Sequence, residues 1–256
     1  LSRIRRGLKD AELSCLTPER VRRFEASMTG SGLSPSSVGK AHRLLKQACK
    51  QAVSDGLIDR NPCDAVRPPK RKNVAPGINY AQTCERKRLL GVLDAAPLQP
   101  VTVAAYIAMY TGLREGEICG LRWGDVDAAA SVVWVRRAVG IGTDGSYVKD
   151  AKDDEVRDVA MPSALAAVLD RWEDGLGSPR CTAYILTGTG SYMHPGTLCR
   201  KWKSVADLLG LTGSEGRPLT FHDLRHTWAP VAVAAGVDIK TVASNLGHAN
   251  AAMTLN

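Results

Sequence analysis

The centre of the chain contains the stretch Thr111-Gly112-Leu113-Arg114-Glu115-Gly116-Glu117-Ile118-Cys119-Gly120-Leu121-Arg122-Trp123. It follows an apolar run, residues 101–110, that is predicted to form a helix. Gly112 ends that helix, so Arg114 falls at the start of the next one. A guanidinium beside the free N–H groups of a helix start suits a phosphate group. A surface ion pair is the alternative role for this arginine, and the stretch alone does not decide between them.

Two shorter stretches nearer the C-terminal end also carry basic side chains. In Thr220-Phe221-His222-Asp223-Leu224-Arg225-His226-Thr227, His222 and Arg225 are three residues apart, so a helix places imidazole and guanidinium on one face. Such a pair can hold a phosphate and move a proton at one point, whereas His226 should project elsewhere. The third stretch, Leu246-Gly247-His248, places a histidine just after a glycine that ends a helix, where a structural role is the alternative.

Composition and charge narrow the class of partner. The longest apolar run spans about ten residues, whereas a membrane span needs about 20, so we expect a cytoplasmic protein without a membrane partner. Residues 1–77 hold 16 Lys and Arg against 7 Asp and Glu, and residues 78–256 hold 18 against 19. A basic excess confined to one end is typical of a nucleic-acid partner, and a solvated basic surface is the alternative.

The N-terminal part is predicted to be helical. Helices should begin at Thr17-Pro18 and Ser34-Pro35, and residues 3–12 should end an earlier helix. In the helix after Ser34 an apolar stripe is predicted to be buried: Val38, Ala41, Leu44, Leu45, Ala48 and Ala52. Basic residues occupy the other faces, where they are expected to meet DNA phosphates: Lys40, Arg43, Lys46 and Lys50. A proline-rich basic segment follows and is read as a linker whose Arg71 and Lys72 help to clamp a duplex.

The C-terminal part alternates helices with a few strands. Strands are predicted within residues 131–139 and 155–161. Helices are predicted at 81–93, 101–110, 162–172, 196–209, and after Asp223 and Asp238. We therefore predict a mainly α fold with a small antiparallel sheet (α+β), divided into a helical domain at 1–67, a basic linker at 68–77 and a second domain at 78–256.

Taken in order, T-G-L-R-x-x-E, H-x-L-R-H and L-G-H closely resemble the signature of the tyrosine recombinase, or phage integrase, family. The N-terminal part shares the resemblance, because Gly32-Leu33-Ser34-Pro35-Ser36-Ser37-Val38 and Arg60-Asn61-Pro62 are similar to that family's core-binding domain. The resemblance implies a core DNA-binding domain followed by a catalytic domain, acting on double-stranded DNA.

The resemblance also implies roles for single residues. It places four side chains around the scissile phosphate: Arg114, His222, Arg225 and His248. The arginines would neutralise the charge that builds on phosphorus without a metal or other cofactor. His222 would handle protons and His248 would donate a hydrogen bond. Glu117 matches an acid that holds the arginine region in place, and Asp223 is read as a helix-start or ion-pair residue.

A lysine on a β-hairpin is a further element of the family pattern, and it protonates the departing 5′ oxygen. Lys152 is the candidate here, and Lys149 is the alternative. Three acids, Asp153-Asp154-Glu155, follow Lys152 and depart from the neutral or basic hairpins expected of the family. Solvated surface lysines are the alternative interpretation of both residues.

Two more departures from the pattern concern a proline and a tyrosine. Pro230 falls within the helix predicted to carry Arg225, so a kink or an early helix end is expected there. The run at 251–256 resembles what directly precedes the family's nucleophilic tyrosine, which is thus expected about two residues past Asn256. Tyr184 and Tyr192 lie upstream of His222 and do not match that motif.

The resemblance implies a site-specific recombinase, or integrase, that cuts and rejoins DNA through a 3′-phosphotyrosine, encoded by a bacterium, phage or integrative element. It implies a homotetramer on DNA, with possible accessory DNA-bending or excision factors. The alternative is a catalytically inactive relative that occupies recombination sites. A metal-dependent nuclease fits less well, because it needs clustered carboxylate or histidine ligands and the matched positions are basic.

Overall fold

The computed structural model describes residues 2–9, 11–69, 77–142, 144–151 and 156–245. The chain divides into two compact units, Leu1–Pro76 and Gly77–Asn256, each with its own apolar core. Most of the linker predicted at 68–77 falls outside the described residues. Among the described helices, none is both long and apolar enough to cross a membrane.

The α-helices of the first unit, in the part of the chain that is described, are α1 (Ser2–Leu8), α2 (Pro18–Gly30) and α3 (Pro35–Ser54). The helix starts predicted at Thr17 and Ser34 are confirmed, because each hydroxyl accepts a hydrogen bond of 3.3 Å from the N–H three residues later. The first helix is shorter than predicted. Lys9 has a φ of 51°, a left-handed conformation that ends α1 at Leu8 instead of near residue 12.

Helix α3 buries only part of the predicted stripe, and Val38, Leu45 and Ala52 are confirmed as buried. Leu44 and Ala48 are exposed, and the buried positions are Val38, His42, Leu45, Cys49 and Ala52. A histidine can occupy this face because its Nδ1 lies 2.6 Å from Oε1 of Glu25 on α2, and both side chains are buried. Apolar periodicity alone misplaced part of the stripe because it could not anticipate a paired polar side chain.

The second unit is organised around α5 (Pro100–Thr111), whose apolar residues are buried on every side of the helix. The predicted helix at 101–110 is thus confirmed as the centre of the core. The other described helices of this unit are α4 (Thr83–Ala95), α6 (Glu115–Gly120), α7 (Ser163–Gly175), α8 (Pro195–Leu209), α9 (Phe221–Ala234) and α10 (Ile239–Asn245). Of these, α6, α7, α8 and α9 pack against α5, whereas α10 packs against α9 and β5.

Within the residues that the structure describes, five short strands form two antiparallel sheets. The first has the order β1 (Val126–Asp127), β2 (Val132–Val135), β5 (Arg157–Ala160), and the second is the hairpin of β3 (Arg137–Gly142) and β4 (Gly145–Asp150). The single strand predicted over 131–139 is therefore split at Arg136, because β2 pairs with β5 while β3 pairs with β4. The prediction of a mainly α fold with a small antiparallel sheet is confirmed.

Helix α6 lies directly against the backbone of β3. A Cβ atom added at Gly116 would come within 2.6 Å of the Val139 carbonyl oxygen, which is closer than real carbon atoms approach. Glycine is required here because only a residue without a side chain allows this approach. The hairpin therefore contacts the backbone of the turn that carries Arg114.

Pro230 does not end its helix early. Helix α9 continues past it to Ala234, so the expectation of an early end was wrong. A proline removes the N–H that would bond the carbonyl four residues back, here that of His226. Pro230 is exposed, so water can reach this part of the helix.

Candidate active site

Two arginines from separate motifs converge on the turn between α5 and α6. Gly112 ends α5 with a φ of 68°, and the chain reverses so that Arg114 precedes the first residue of α6, as predicted. Arg225 reaches the same turn from α9 and donates a hydrogen bond from Nη1 to the Gly112 carbonyl oxygen, at 2.6 Å. Residues 113 positions apart in sequence thus meet at one turn.

Glu117 holds this arginine region together. Its carboxylate is buried and accepts hydrogen bonds from the Arg114 backbone N–H at 2.8 Å, from Arg114 Nη1 at 3.2 Å and from Arg157 Nη2 at 2.9 Å. The positioning role that the family resemblance implied for Glu117 agrees with these contacts. Sequence reasoning missed Arg157, although an arginine inside a predicted strand signals an acidic partner whenever the strand is buried.

Positive charge is concentrated around Arg225, a residue that is only 3% exposed to solvent. Burial, followed by the charges of Arg114 and Arg157, lowers the pKa of this guanidinium to about 10, against the opposing charges of Glu117 and Glu115. Arg225 therefore remains protonated at neutral pH. A buried cation of this kind suits an anionic ligand, because low polarity strengthens its attraction.

His222 lies at the exposed edge of the same region. Its Nδ1 is 3.5 Å from Oε2 of Glu115, and this contact, with the nearby charges of His222 and Arg225, holds the pKa of Glu115 below its ordinary 4.5. With Nδ1 turned to the carboxylate, Nε2 is the nitrogen that remains to exchange a proton. His226, expected to project elsewhere, packs edge-on against the His222 ring at 4.8 Å because residues four apart are helix neighbours.

The start of α9 is fixed by a reciprocal cap. The Asp223 carboxylate accepts the Thr220 N–H at 2.8 Å, and the Thr220 hydroxyl accepts the Asp223 N–H at 3.3 Å. Asn79, which is buried and which sequence reasoning missed, donates to the same carboxylate at 3.1 Å. Asp223 is thus a helix-start residue that orients the helix carrying His222 and Arg225.

Four of the predicted site residues lie outside the described residues, namely Lys152, His248, Arg71 and Lys72. The alternative hairpin lysine, Lys149, is exposed on β4 opposite Ala138. Tyr184 is buried with its hydroxyl 3.1 Å from Arg122 Nη2, and the Tyr192 hydroxyl donates to the Ser146 carbonyl at 2.9 Å. The choice between the two lysines stays a prediction.

The four basic residues predicted to meet DNA on α3 are all exposed: Lys40, Arg43, Lys46 and Lys50. They follow one another at intervals of three or four, so they lie along neighbouring turns of the helix. Lys46 is paired with Asp64, Nζ to Oδ1 at 2.8 Å, and this hydrogen bond raises the lysine pKa. Within the described part of the chain, the other three form no ion pair.

Comparison with known proteins agrees with this arrangement. Residues 83–256 match the model of the phage integrase family, and residues 1–68 match that of the phage integrase SAM-like domain. The chain therefore belongs to the phage integrase family of tyrosine recombinases. It is 28% identical over 251 residues to a putative prophage phiRv2 integrase of Mycobacterium tuberculosis, covering 96% of this chain and 64% of that relative. A second relative is the ICEBs1 integrase of Bacillus subtilis, which is 25% identical over 96% of this chain and 67% of its own length.

The fold is also that of solved integrases. The Tn1549 transposon integrase in complex with a circular intermediate DNA superposes with a TM-score of 0.71 at 23% identity, covering all of this chain and 86% of that one. A lambda integrase tetramer bound to a Holliday junction gives a TM-score of 0.71 at 23% identity, covering 97% of this chain and 69% of that one. These similarities establish the fold of the chain.

Proposed function

We propose that this protein is a site-specific DNA recombinase of the integrase type, which cuts and rejoins DNA through a 3′-phosphotyrosine. The observation that carries the proposal is the convergence of Arg114 and Arg225 on one turn, with Glu117 fixing the turn and His222 at its exposed edge. Two guanidiniums and an imidazole at one place match the demands of a phosphate that gains negative charge in the transition state.

In the proposed reaction, a tyrosine attacks the scissile phosphate and releases a 5′ hydroxyl, and the attack of a second strand reverses the step. Arg114 and Arg225 hold the nonbridging oxygens, and His222 exchanges a proton through Nε2. Lys152, or Lys149 in its place, protonates the departing 5′ oxygen, and His248 adds a hydrogen bond. Each step forms one phosphoester bond for the one it breaks, so the proposed reaction needs no external energy source.

We further propose that the active form is a homotetramer on double-stranded DNA in the cytoplasm of a bacterial host. Support comes from the relatives, which are integrases of prophages and mobile elements, and from the lambda integrase tetramer bound to a Holliday junction. Accessory DNA-bending or excision factors belong to the same proposal.

The test is covalent capture of the full-length protein on a nicked DNA substrate that loses its 5′ hydroxyl fragment after cleavage. We expect a protein–DNA adduct at a tyrosine, because rejoining is then prevented. The adduct should survive denaturation and disappear after protease treatment. A protein that binds such sites specifically without forming any adduct would instead be the inactive DNA-binding relative.

The basic face of α3 makes a separate prediction about DNA affinity. Replacing Lys40, Arg43 and Lys50 together by Gln should weaken binding and flatten its dependence on salt by about 0.9 in log–log slope per lost phosphate contact. Lys46→Gln alone should have a smaller effect, because Asp64 already pairs with that ammonium. Both effects are measured by fluorescence anisotropy at several salt concentrations.

The control removes the same charge from an exposed face of α8, by replacing Arg200, Lys201 and Lys203 with Gln. If the α3 helix meets the phosphate backbone, its variant alone should change the salt slope strongly. Equal changes in both variants would mean that net charge, and not the α3 face, determines the affinity.

A further inference from the structure

Arg157 on β5 makes two contacts, and the proposed reaction gives this residue no role. Its side chain is 18% exposed. Nη2 donates to Oε2 of Glu117 at 2.9 Å, and Nε donates to the Asn245 carbonyl oxygen at 3.2 Å. One guanidinium therefore connects α6 with the last residue of α10.

The contact between Arg157 and Glu117 affects Arg114, because Glu117 also accepts hydrogen bonds from Arg114. The same carboxylate oxygen, Oε2, accepts both the Arg114 backbone N–H and Nη2 of Arg157, and Oε1 accepts Arg114 Nη1. A carboxylate held by a second arginine has fewer accessible orientations. Arg157 therefore limits the positions from which Glu117 can hold the Arg114 guanidinium.

The contact with Asn245 fixes the end of a short helix. The last carbonyls of a helix lack partners within it, and they carry partial negative charge. The Arg157 guanidinium supplies both a donor and a positive charge at this end of α10 (Ile239–Asn245). In sequence, Asn245 directly precedes the Leu246-Gly247-His248 motif.

We propose that Arg157 is a positioning residue. It connects the Arg114–Glu117 turn to the end of α10 and so keeps the two at a fixed relative position during strand cleavage. This inference rests on the proposed recombinase function. The fork of the guanidinium explains the residue type, because Nε and Nη2 point to two separate acceptors. A lysine would carry the same charge on one ammonium and could retain only one of the two contacts at full strength.

The test compares Arg157→Gln and Arg157→Lys in the full-length protein with Arg136→Gln as a control. Arg136, between β2 and β3, is also bound to a buried acid, since its Nη1 lies 3.2 Å from Oδ1 of Asp125. Asp125 keeps Arg137 as a second partner when Arg136 is replaced. The control thus loses an ion pair with a buried acid in the same unit and leaves the contacts of Arg157 with Glu117 and Asn245 in place.

We expect the single-turnover cleavage rate at saturating DNA to fall about 100-fold in Arg157→Gln, which is the cost of a misplacement of about 1 Å. Arg157→Lys should recover part of the rate, and the Kd for DNA should change little in either variant. A purely structural role would instead reduce the folded fraction, and would lower rate and binding together. A wild-type rate in Arg157→Gln, in a protein that still forms the tyrosine adduct, would overturn the inference and leave the function standing.

A second measurement is independent of activity. Hydrogen exchange of the backbone amides at 242–245 should be at least about tenfold faster in Arg157→Lys than in the wild type, and unchanged in Arg136→Gln. Unchanged exchange in Arg157→Lys would overturn the positioning role by itself. If the wild-type protein formed no adduct, the proposed function would fail, and this exchange would still decide whether Arg157 holds the end of α10.

Discussion

Replacing Arg225 by Ala in the full-length protein should reduce formation of the tyrosine–DNA adduct by about 100- to 1000-fold, while most DNA affinity remains. The guanidinium is buried and donates to the Gly112 carbonyl, so it is preorganised beside the turn that carries Arg114. Its loss removes stabilisation of charge in the transition state, whereas binding of the DNA backbone is distributed over many contacts. The rate is measured by single-turnover cleavage of the nicked substrate.

Arg217→Ala is the matched control for Arg225→Ala. Arg217 also donates to a backbone carbonyl, from Nη2 to Gly77 at 2.7 Å, but it is exposed. Its variant should cleave at nearly the wild-type rate. Arg225→Lys should fall between the two, because charge is retained while the planar fork is lost. Undiminished adduct in Arg225→Ala would remove this residue from the reaction.

Replacing Glu117 by Ala should destabilise the second unit by about 1–3 kcal/mol, because the Arg114 N–H and the Arg114 and Arg157 guanidiniums lose this buried acceptor. Arg157 loses its acid, Arg114 loses two contacts with this carboxylate, and Arg225 loses a neighbouring negative charge. All five tryptophans lie between Trp123 and Trp228, so their fluorescence during urea unfolding reports on this unit alone.

Asp207→Ala serves as the control for Glu117→Ala, since it breaks an exposed Lys203–Asp207 pair in the same unit. A surface pair of this kind contributes about 0–1 kcal/mol, so the control should unfold at nearly the wild-type urea concentration. Glu117→Gln should lie between the two variants. Equal stability of Glu117→Ala and the control would mean that the carboxylate does not hold the arginines together.

Features of the fold set by neighbouring residues could be predicted from the sequence. The caps at Thr17 and Ser34, the break at Gly112 and the placement of Arg114 before α6 each depend on a few consecutive residues. Local capping and backbone preferences are strong enough to decide such points. The motifs of the candidate site were instead recognised by their order along the chain and their resemblance to a family signature.

Features set by distant partners could not be predicted in this way. The strand at 131–139 divides at Arg136 because β5, more than 20 residues later, pairs with only the first part. His42 is buried in place of Leu44 because Glu25 on another helix accepts its hydrogen bond. Arg157 acquires its importance from Glu117 and Asn245, which are 40 and 88 residues away.

The contact between Gly116 and the backbone of β3 has a mechanical consequence. Packed side chains can accommodate a small displacement by changing rotamer, but two backbones in direct contact have no side chain between them that could adjust. A displacement of the β3–β4 hairpin is therefore expected to move the turn that carries Arg114. We therefore expect the position of Arg114 to follow that of the hairpin, because Gly116 has no side chain that could separate the two backbones.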